Sequence, residues 1–329
     1  MLDIQIQVPG SLTDAAVVGF SRELQNLAVA ERYVVDLSRV KHVEPFGMLV
    51  CASVLRRFIR IRKEAGGQFT AVGFTENSYA AHMGLYQAFG LPYGNKPGEA
   101  SGSSRYIPLT CISVKDLKAQ AGYSPVGEAV EREAQRLSRV LLQKTDGSRF
   151  SHISYALLEM MRNVVEHSFA PEIWCAAQCW PNKNCVEIAI LDEGIGVKKS
   201  LQRNPANRCS TDQEALELAL QAGVSGAPPK SEELQFREAY DDGWQNAGLG
   251  LFIVSKLCAE GGSFSIVSGN CSLSLSKSGT GASLADFAGT AVRMKLESVS
   301  DRDINTFIDR ILPKGAKTGR SGLWPPRGA

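Results

Sequence analysis

No stretch of the chain stays apolar long enough to cross a membrane, so an integral membrane protein is not expected. An excess of one charge is missing too. The 36 Lys and Arg against 34 Asp and Glu leave a formal net charge of +2, and bulk electrostatics indicate neither nucleic acid nor an anionic membrane as a partner. The eight cysteines form no Cys-x2-Cys metal pattern. Cys175, Cys179 and Cys185 cluster, but in alternating, strand-like segments. Buried reduced thiols are expected, which fits a cytoplasmic location. The opening MLDIQIQVPG has no basic n-region or cleavage pattern, so no signal peptide is expected. Internal repeats and extended low-complexity runs are absent. What is present is length: 329 residues suffice for two domains with real cores.

The most informative stretch is SHISYALLEMMRNVVEHSF, residues 151–169. Read as a helix, it places Ile153, Leu157, Met160, Met161 and Val164 on one apolar flank. Glu159, Asn163, Glu166 and His167 fall on an adjoining stripe. A carboxylate, an amide and an imidazole then line up beside a buried face. Alone, this pattern also suits an ordinary amphipathic helix with a wet edge.

Two later stretches add to it. ILDEGIGV (190–197) follows an apolar, strand-like run, and NAGLGLFIVSKL (246–257) opens a helix-like run. Each has a Gly-x-Gly core, which lets backbone approach a phosphate or a flat base closely. One such core is weak; Glu-x3-Asn-x3-His, Asp-x-Gly-x-Gly and Gly-x-Gly-Leu in this order are specific. The region from about 146 to 296 resembles the GHKL ATPase superfamily of gyrase, Hsp90, MutL and the ATP domains of histidine and anti-sigma kinases. Glu159 and Asn163 match its N box, Asp192, Gly194 and Gly196 its G1 box, Gly248 and Gly250 its G2 box, and Gly289-Thr290 its final Gly-Thr element.

The resemblance implies ATP and Mg²⁺ as cofactors. Glu159 would orient or deprotonate the attacking water, and Asn163 would offer Mg²⁺ a neutral oxygen. Asp192 would accept a hydrogen bond from the adenine amino group, with Gly194 and Gly196 turning the chain around the base. Gly248, Leu249 and Gly250, with Leu251 beside them, would face the phosphates. Thr290 would contribute a hydroxyl near the base. His167 suits nucleotide contact or helix-end packing equally. Glu166 would repel a triphosphate unless Mg²⁺ or a basic residue offsets it; Lys198, Lys199 and Lys230 are the candidates.

Residues 1–95 read β, α, β, α, β, α: a strand in LDIQIQV, a helix from Ser11 to Leu27, a strand in YVVDLS, a helix after Pro45 with a basic outer face, a strand in QFTAVGF and a helix from Tyr79 to Phe89. This order resembles the STAS domain of anti-anti-sigma factors, and VVDLSRVKHVEPFGMLV is similar to its strand–loop–helix. Pro45 stands where that family carries its phospho-acceptor, so switching by phosphorylation there would be lost.

The expected fold class is α/β: a STAS-like N-terminal α/β domain and a C-terminal Bergerat-type α/β sandwich, a mixed sheet covered by helices. The expected division is a STAS-like docking domain with linker at 1–104, a connecting strand and helix at 105–145, the GHKL ATP-binding domain at 146–300 with an ATP lid within 198–247, and a partly disordered helix or tail at 301–329. IWCAAQCW and CVEIAIL read as a strand pair, and FSIVSG, CSLSLS and TAVRMKL as the remaining strands. The expected function is an ATP-hydrolysing regulatory switch, with a serine protein kinase of the anti-sigma type and a non-hydrolysing ATP sensor as alternatives. A protein partner through the STAS-like half and a homodimer are further expectations.

Overall fold

A computed structural model describes residues 3–121, 126–142, 148–226 and 250–297. Gly248, Leu249, Lys230, much of the expected lid region and the tail at 301–329 lie outside the described residues.

The N-terminal part contains β1 (Asp3–Gln7), β2 (Ser11–Leu12), α1 (Asp14–Gln25), β3 (Arg32–Asp36), β4 (His42–Val43), α2 (Pro45–Glu64) and β5 (Gln68–Val72). The parallel order is β1-β3-β5. The helix expected from Ser11 starts at Asp14 instead, because Ser11 and Leu12 pair with β4. Pro45 occupies the first turn of α2, where its missing N–H has no intrahelical partner to lose. Gly47 is required one step later: a Cβ there would overlap the Leu12 carbonyl. The single helix expected over Tyr79–Phe89 is two short ones, α3 (Ser78–His82) and α4 (Leu85–Ala88), broken at Gly84 with φ +86°.

The second layer comprises β6 (Tyr106–Ser113), α5 (Val114–Ala121), α6 (Val126–Leu142), α7 (Ser148–Asn163), β7 (Glu172–Trp180), β8 (Cys185–Asp192), α8 (Gly196–Leu201), α9 (Asp212–Ala219), α10 (Gly250–Gly261), β9 (Gly262–Ser276) and β10 (Gly279–Leu296). The five strands run β6-β7-β8-β10-β9. Every pair is antiparallel, a correction to the expected mixed sheet. Two of the neighbouring pairs, β7/β8 and β9/β10, are joined by short connections, which force antiparallel order. FSIVSG and CSLSLS, read as separate strands, are one strand in β9. Residues 105–145, expected to connect two domains, contribute β6 as an edge strand and α6 as a partner of α7.

Strand alternation gives this sheet two apolar faces. Val186, Ile188 and Ile190 of β8 pack with α7 residues such as Met161 and with α10. Ala189 and Leu191 of the same strand join a second core with Phe46 and Leu49 of α2. All eight residues of β8 are therefore buried, as in any sheet covered on both sides. The helices α1 and α2 supply that second cover, contacting β10 and β7, β8, β10 respectively. All eight cysteines are free.

Candidate functional site

The apolar flank foreseen for residues 151–169 is buried: Ile153, Leu157, Met160, Met161 and Val164 are all at or below 4% exposure. At Asn163 the helix α7 gives way to a π-helical turn, Val164–Ser168, closed by Phe169 at φ 58°. Single π turns inside helices recur at functional sites. Here the turn is held by the Ser168 hydroxyl, which donates to the Val164 carbonyl at 2.7 Å and accepts from Ala170 N–H at 3.0 Å. Glu159, Asn163 and His167 all face one cavity.

The opposite wall comes from the end of β8 and from β10. Asp192, Gly196 and Thr290 line the same cavity, as do Gly250 and Leu251 of α10. Ile190, Ile266 and Val292 give it an apolar floor. Its empty volume is about 920 Å³ with the solvent at its mouth included. Gly194 lies beside the cavity: its N–H donates to Asp192 Oδ1 at 2.9 Å, and a Cβ there would overlap the Ser168 carbonyl. Gly196 has φ +78°. Gly250 lets the Glu159 carboxylate pass, since a Cβ at that position would overlap Glu159 Oε2. Gly289, at φ +109°, lies so close to the Asp192 carbonyl that a Cβ would overlap it.

Three polar groups in this cavity have unused bonding capacity. The Asn163 amide makes no hydrogen bond among the described residues. Asp192 is 4% exposed, and no cation among the described residues reaches it. Burial pushes its carboxyl up to about 7, against the lowering pull of the Gly194 and Thr290 N–H groups. Burial likewise raises Glu159, which is 8% exposed; the nearby Arg162 opposes the rise. Among the described residues no group of three or more His, Cys, Asp or Glu could hold a metal ion alone. Asn163 and Glu159 offer hard oxygens, which fits an ion such as Mg²⁺ that takes its remaining ligands from phosphates and water.

Lys230, one of the three cations expected to offset Glu166, lies outside the described residues, and the other two stand apart from the cavity. Lys198 donates to the Ser210 carbonyl at 2.5 Å, and neither it nor Lys199 lines the cavity. Arg162 does the work instead, with its Nε 2.7 Å from Glu166 Oε1 and its guanidinium 3.9 Å from Glu159 Oε1. It is 7% exposed. Position i+3/i+4 spacing to two carboxylates was the available signal. His167 Nε2 lies 3.8 Å from Glu166, and burial lowers its pKa, which favours the neutral imidazole. Sequence reasoning also missed Ser268. Its buried hydroxyl donates to the Gly289 carbonyl at 2.6 Å and accepts from the Val197 N–H at 3.0 Å, fastening the G1 turn to the Gly-Thr element. A lone serine in a Ser-rich strand carries no signal of this kind.

No curated protein matches the chain. Residues 149–298 match the family described as histidine kinase-, DNA gyrase B- and HSP90-like ATPase. The C-terminal half therefore carries an ATP-binding module of the GHKL type.

Proposed function

We propose that this chain hydrolyses ATP with Mg²⁺ and uses the nucleotide state to drive a conformational or partner-binding switch. One observation carries the reading: Glu159 and Asn163 of α7 line a single cavity with Asp192 and Gly250, which come from distant parts of the sequence. The ionised Asp192 carboxylate would accept from the adenine amino group, and guanine, with a carbonyl there, would be refused. Asn163, with Glu159 nearby, would hold Mg²⁺, which offsets triphosphate charge when bound. Glu159 would receive a proton from the attacking water. Its raised pKa makes it a stronger base than an exposed glutamate, and its closeness to Gly250 holds it at the phosphate end. Gly248 and Leu249, proposed for phosphate contact, lie outside the described residues.

We also propose the N-terminal part as a STAS-like docking module, on the strength of its parallel β1-β3-β5 sheet and the strand–loop–helix from Arg32 to Glu64. Pro45 is buried and carries no hydroxyl, which argues against phosphorylation in cis at that position. Because α1 and α2 already cover the ATP-domain sheet, a further protein partner would meet other surfaces of the module.

The test is turnover of ATP labelled at the γ-phosphate, resolving free phosphate from labelled protein. Free phosphate that disappears in Glu159→Ala while ATP affinity is retained is the expected result. Label on protein would replace the ATPase reading with the kinase one. Binding without either product would leave a sensor.

A further inference from the structure

The G1 turn has two sides, and only one faces the cavity. Asp192 ends β8 with its carboxylate toward the nucleotide site. Glu193 follows, and its side chain leaves on the other side of the sheet, as strand alternation requires. There it meets α2 of the N-terminal module. The Ser53 hydroxyl donates to Glu193 Oε1 at 2.7 Å, and Arg56 reaches the same oxygen at 2.5 Å. Ser53 is 4% exposed. Arg56 is itself fixed at two further points: it donates to the Ala88 carbonyl at 2.7 Å, and its guanidinium stacks 4.3 Å from the Trp174 ring centroid. A guanidinium already held in place loses little further freedom in gripping a carboxylate.

We propose that Ser53 and Arg56 are positioning residues for nucleotide binding, acting through Glu193 to hold Asp192 in its adenine-receiving place. Adjacent residues share a planar peptide, so a displaced Glu193 backbone displaces Asp192. The turn has little room to absorb such a shift: a Cβ on Gly289 would overlap the Asp192 carbonyl and lie 2.8 Å from the Glu193 Cα. Among the described residues, the carboxylate of Asp192 is otherwise held by backbone N–H groups. The basic face expected to point to solvent on α2 thus becomes, at Arg56, a grip on the ATP site from behind. By linkage, whatever loosens α2 from the sheet weakens ATP binding, and ATP tightens the docking of α2 by the same factor.

This inference rests on the assignment of Asp192 to adenine, and its test separates the two. In the full chain, binding of Mg-ATP and of inorganic tripolyphosphate, which lacks the base, is measured by calorimetry for wild type and for Glu193→Ala, Arg56→Ala, Glu193→Gln and Ser53→Ala. Thermal unfolding is recorded alongside. The expected result is about tenfold weaker ATP binding in Glu193→Ala and Arg56→Ala, the value of one charge-assisted hydrogen bond. Glu193→Gln, which keeps the Oε1 acceptor, recovers part of this, and tripolyphosphate affinity stays constant throughout. The double variant Glu193→Ala/Arg56→Ala is no weaker than either single one, since both remove the same grip. A general loss of stability would not separate the two ligands. If the larger changes prevent folding, Ser53→Ala removes one hydroxyl only and still predicts about threefold weaker ATP binding with tripolyphosphate unchanged. Unchanged ATP affinity in folded variants, or equal losses for both ligands, overturns the proposal. Wild-type ATP affinity that survives Asp192→Asn overturns the adenine assignment instead.

Discussion

Two buried carboxylates on β8 serve opposite ends. Glu187 is 0% exposed and faces the N-terminal module. It accepts from Arg293 Nε at 3.0 Å and from the Phe46 N–H at 3.2 Å. Asp192, five positions on, faces the cavity and, among the described residues, has backbone N–H partners only. Burial pushes both carboxyls upward, but the Arg293 guanidinium pulls Glu187 back, and among the described residues no cation does the same for Asp192. A buried acid whose acceptors are satisfied by its own chain is part of the framework. A buried acid left short of partners stands ready for a ligand that brings the missing donor. The two sides of one strand therefore divide between joining the halves of the molecule and, in the function proposed above, receiving a base.

The largest effect is expected where the partner would be stranded. Glu187→Ala leaves the Arg293 guanidinium, itself 7% exposed, with Glu44 at 4.0 Å as its nearest remaining carboxylate in an ion pair. Removing one member of a buried ion pair costs about 3–5 kcal/mol, and chemical denaturation should show a loss of that order. Nucleotide affinity of the variant, measured where it is still folded, should stay within about threefold of wild type. A stable variant that has lost ATP would reverse the roles given to the two acids.

Asp192→Asn is expected to do the converse. ATP binding should weaken about 100-fold, because the amide offers a poorer acceptor to the adenine amino group than a carboxylate does. The fold should gain. Burial pushes the Asp192 carboxyl up to about 7, above its ordinary value near 3.8, so the group favours folding at low pH and its contribution is lost as pH rises from about 4 to 7. At pH 8 the unliganded wild type carries a buried charge that the amide avoids. Asp192→Asn should then raise unfolding free energy by about 1–3 kcal/mol at pH 8 and by little at pH 4, read by denaturation at the two pH values.

Much of this contrast was legible in the chain, though unevenly. The stripe Glu159–Asn163–His167 follows directly from helical period, and the apolar flank beside it buries as the period requires. The strand run CVEIAIL was equally plain, but period alone does not say what covers each face. The basic outer face expected for α2 gives no sign of its ion pairs, because the partners of Arg56 and Arg57 lie more than a hundred residues away: Glu193 for Arg56 and Asp286 for Arg57. Arg162 escaped notice for a different reason. The compensating charge was expected at Lys198, Lys199 or Lys230, while α7 itself carries a cation within reach of two carboxylates. Local pattern identified the elements and the motif; charge pairing across the sheet needed coordinates.

The smallest effect sharpens the comparison most, because it needs no mutation. The ionised form of Asp192 is the stronger acceptor for the adenine amino group; protonation puts an O–H donor on one oxygen and leaves the other a weaker, neutral acceptor. Burial pushes its carboxyl up to about 7, so near neutral pH the unliganded protein carries the protonated, weaker-accepting form as well. ATP affinity should level off above pH 8 and fall below pH 7 toward tenfold per pH unit, the slope of a single proton uptake. Inorganic tripolyphosphate, which carries the phosphates without the base, supplies the control for titration elsewhere in the ligand and at Glu159. Subtracting its profile should leave one midpoint near 7. Glu187 should leave no trace in that difference, since its partners are already in place whether or not nucleotide is bound. A base-specific midpoint near 4 would mean that Asp192 is as well served as an exposed carboxylate, and the distinction between the two acids of β8 would not hold.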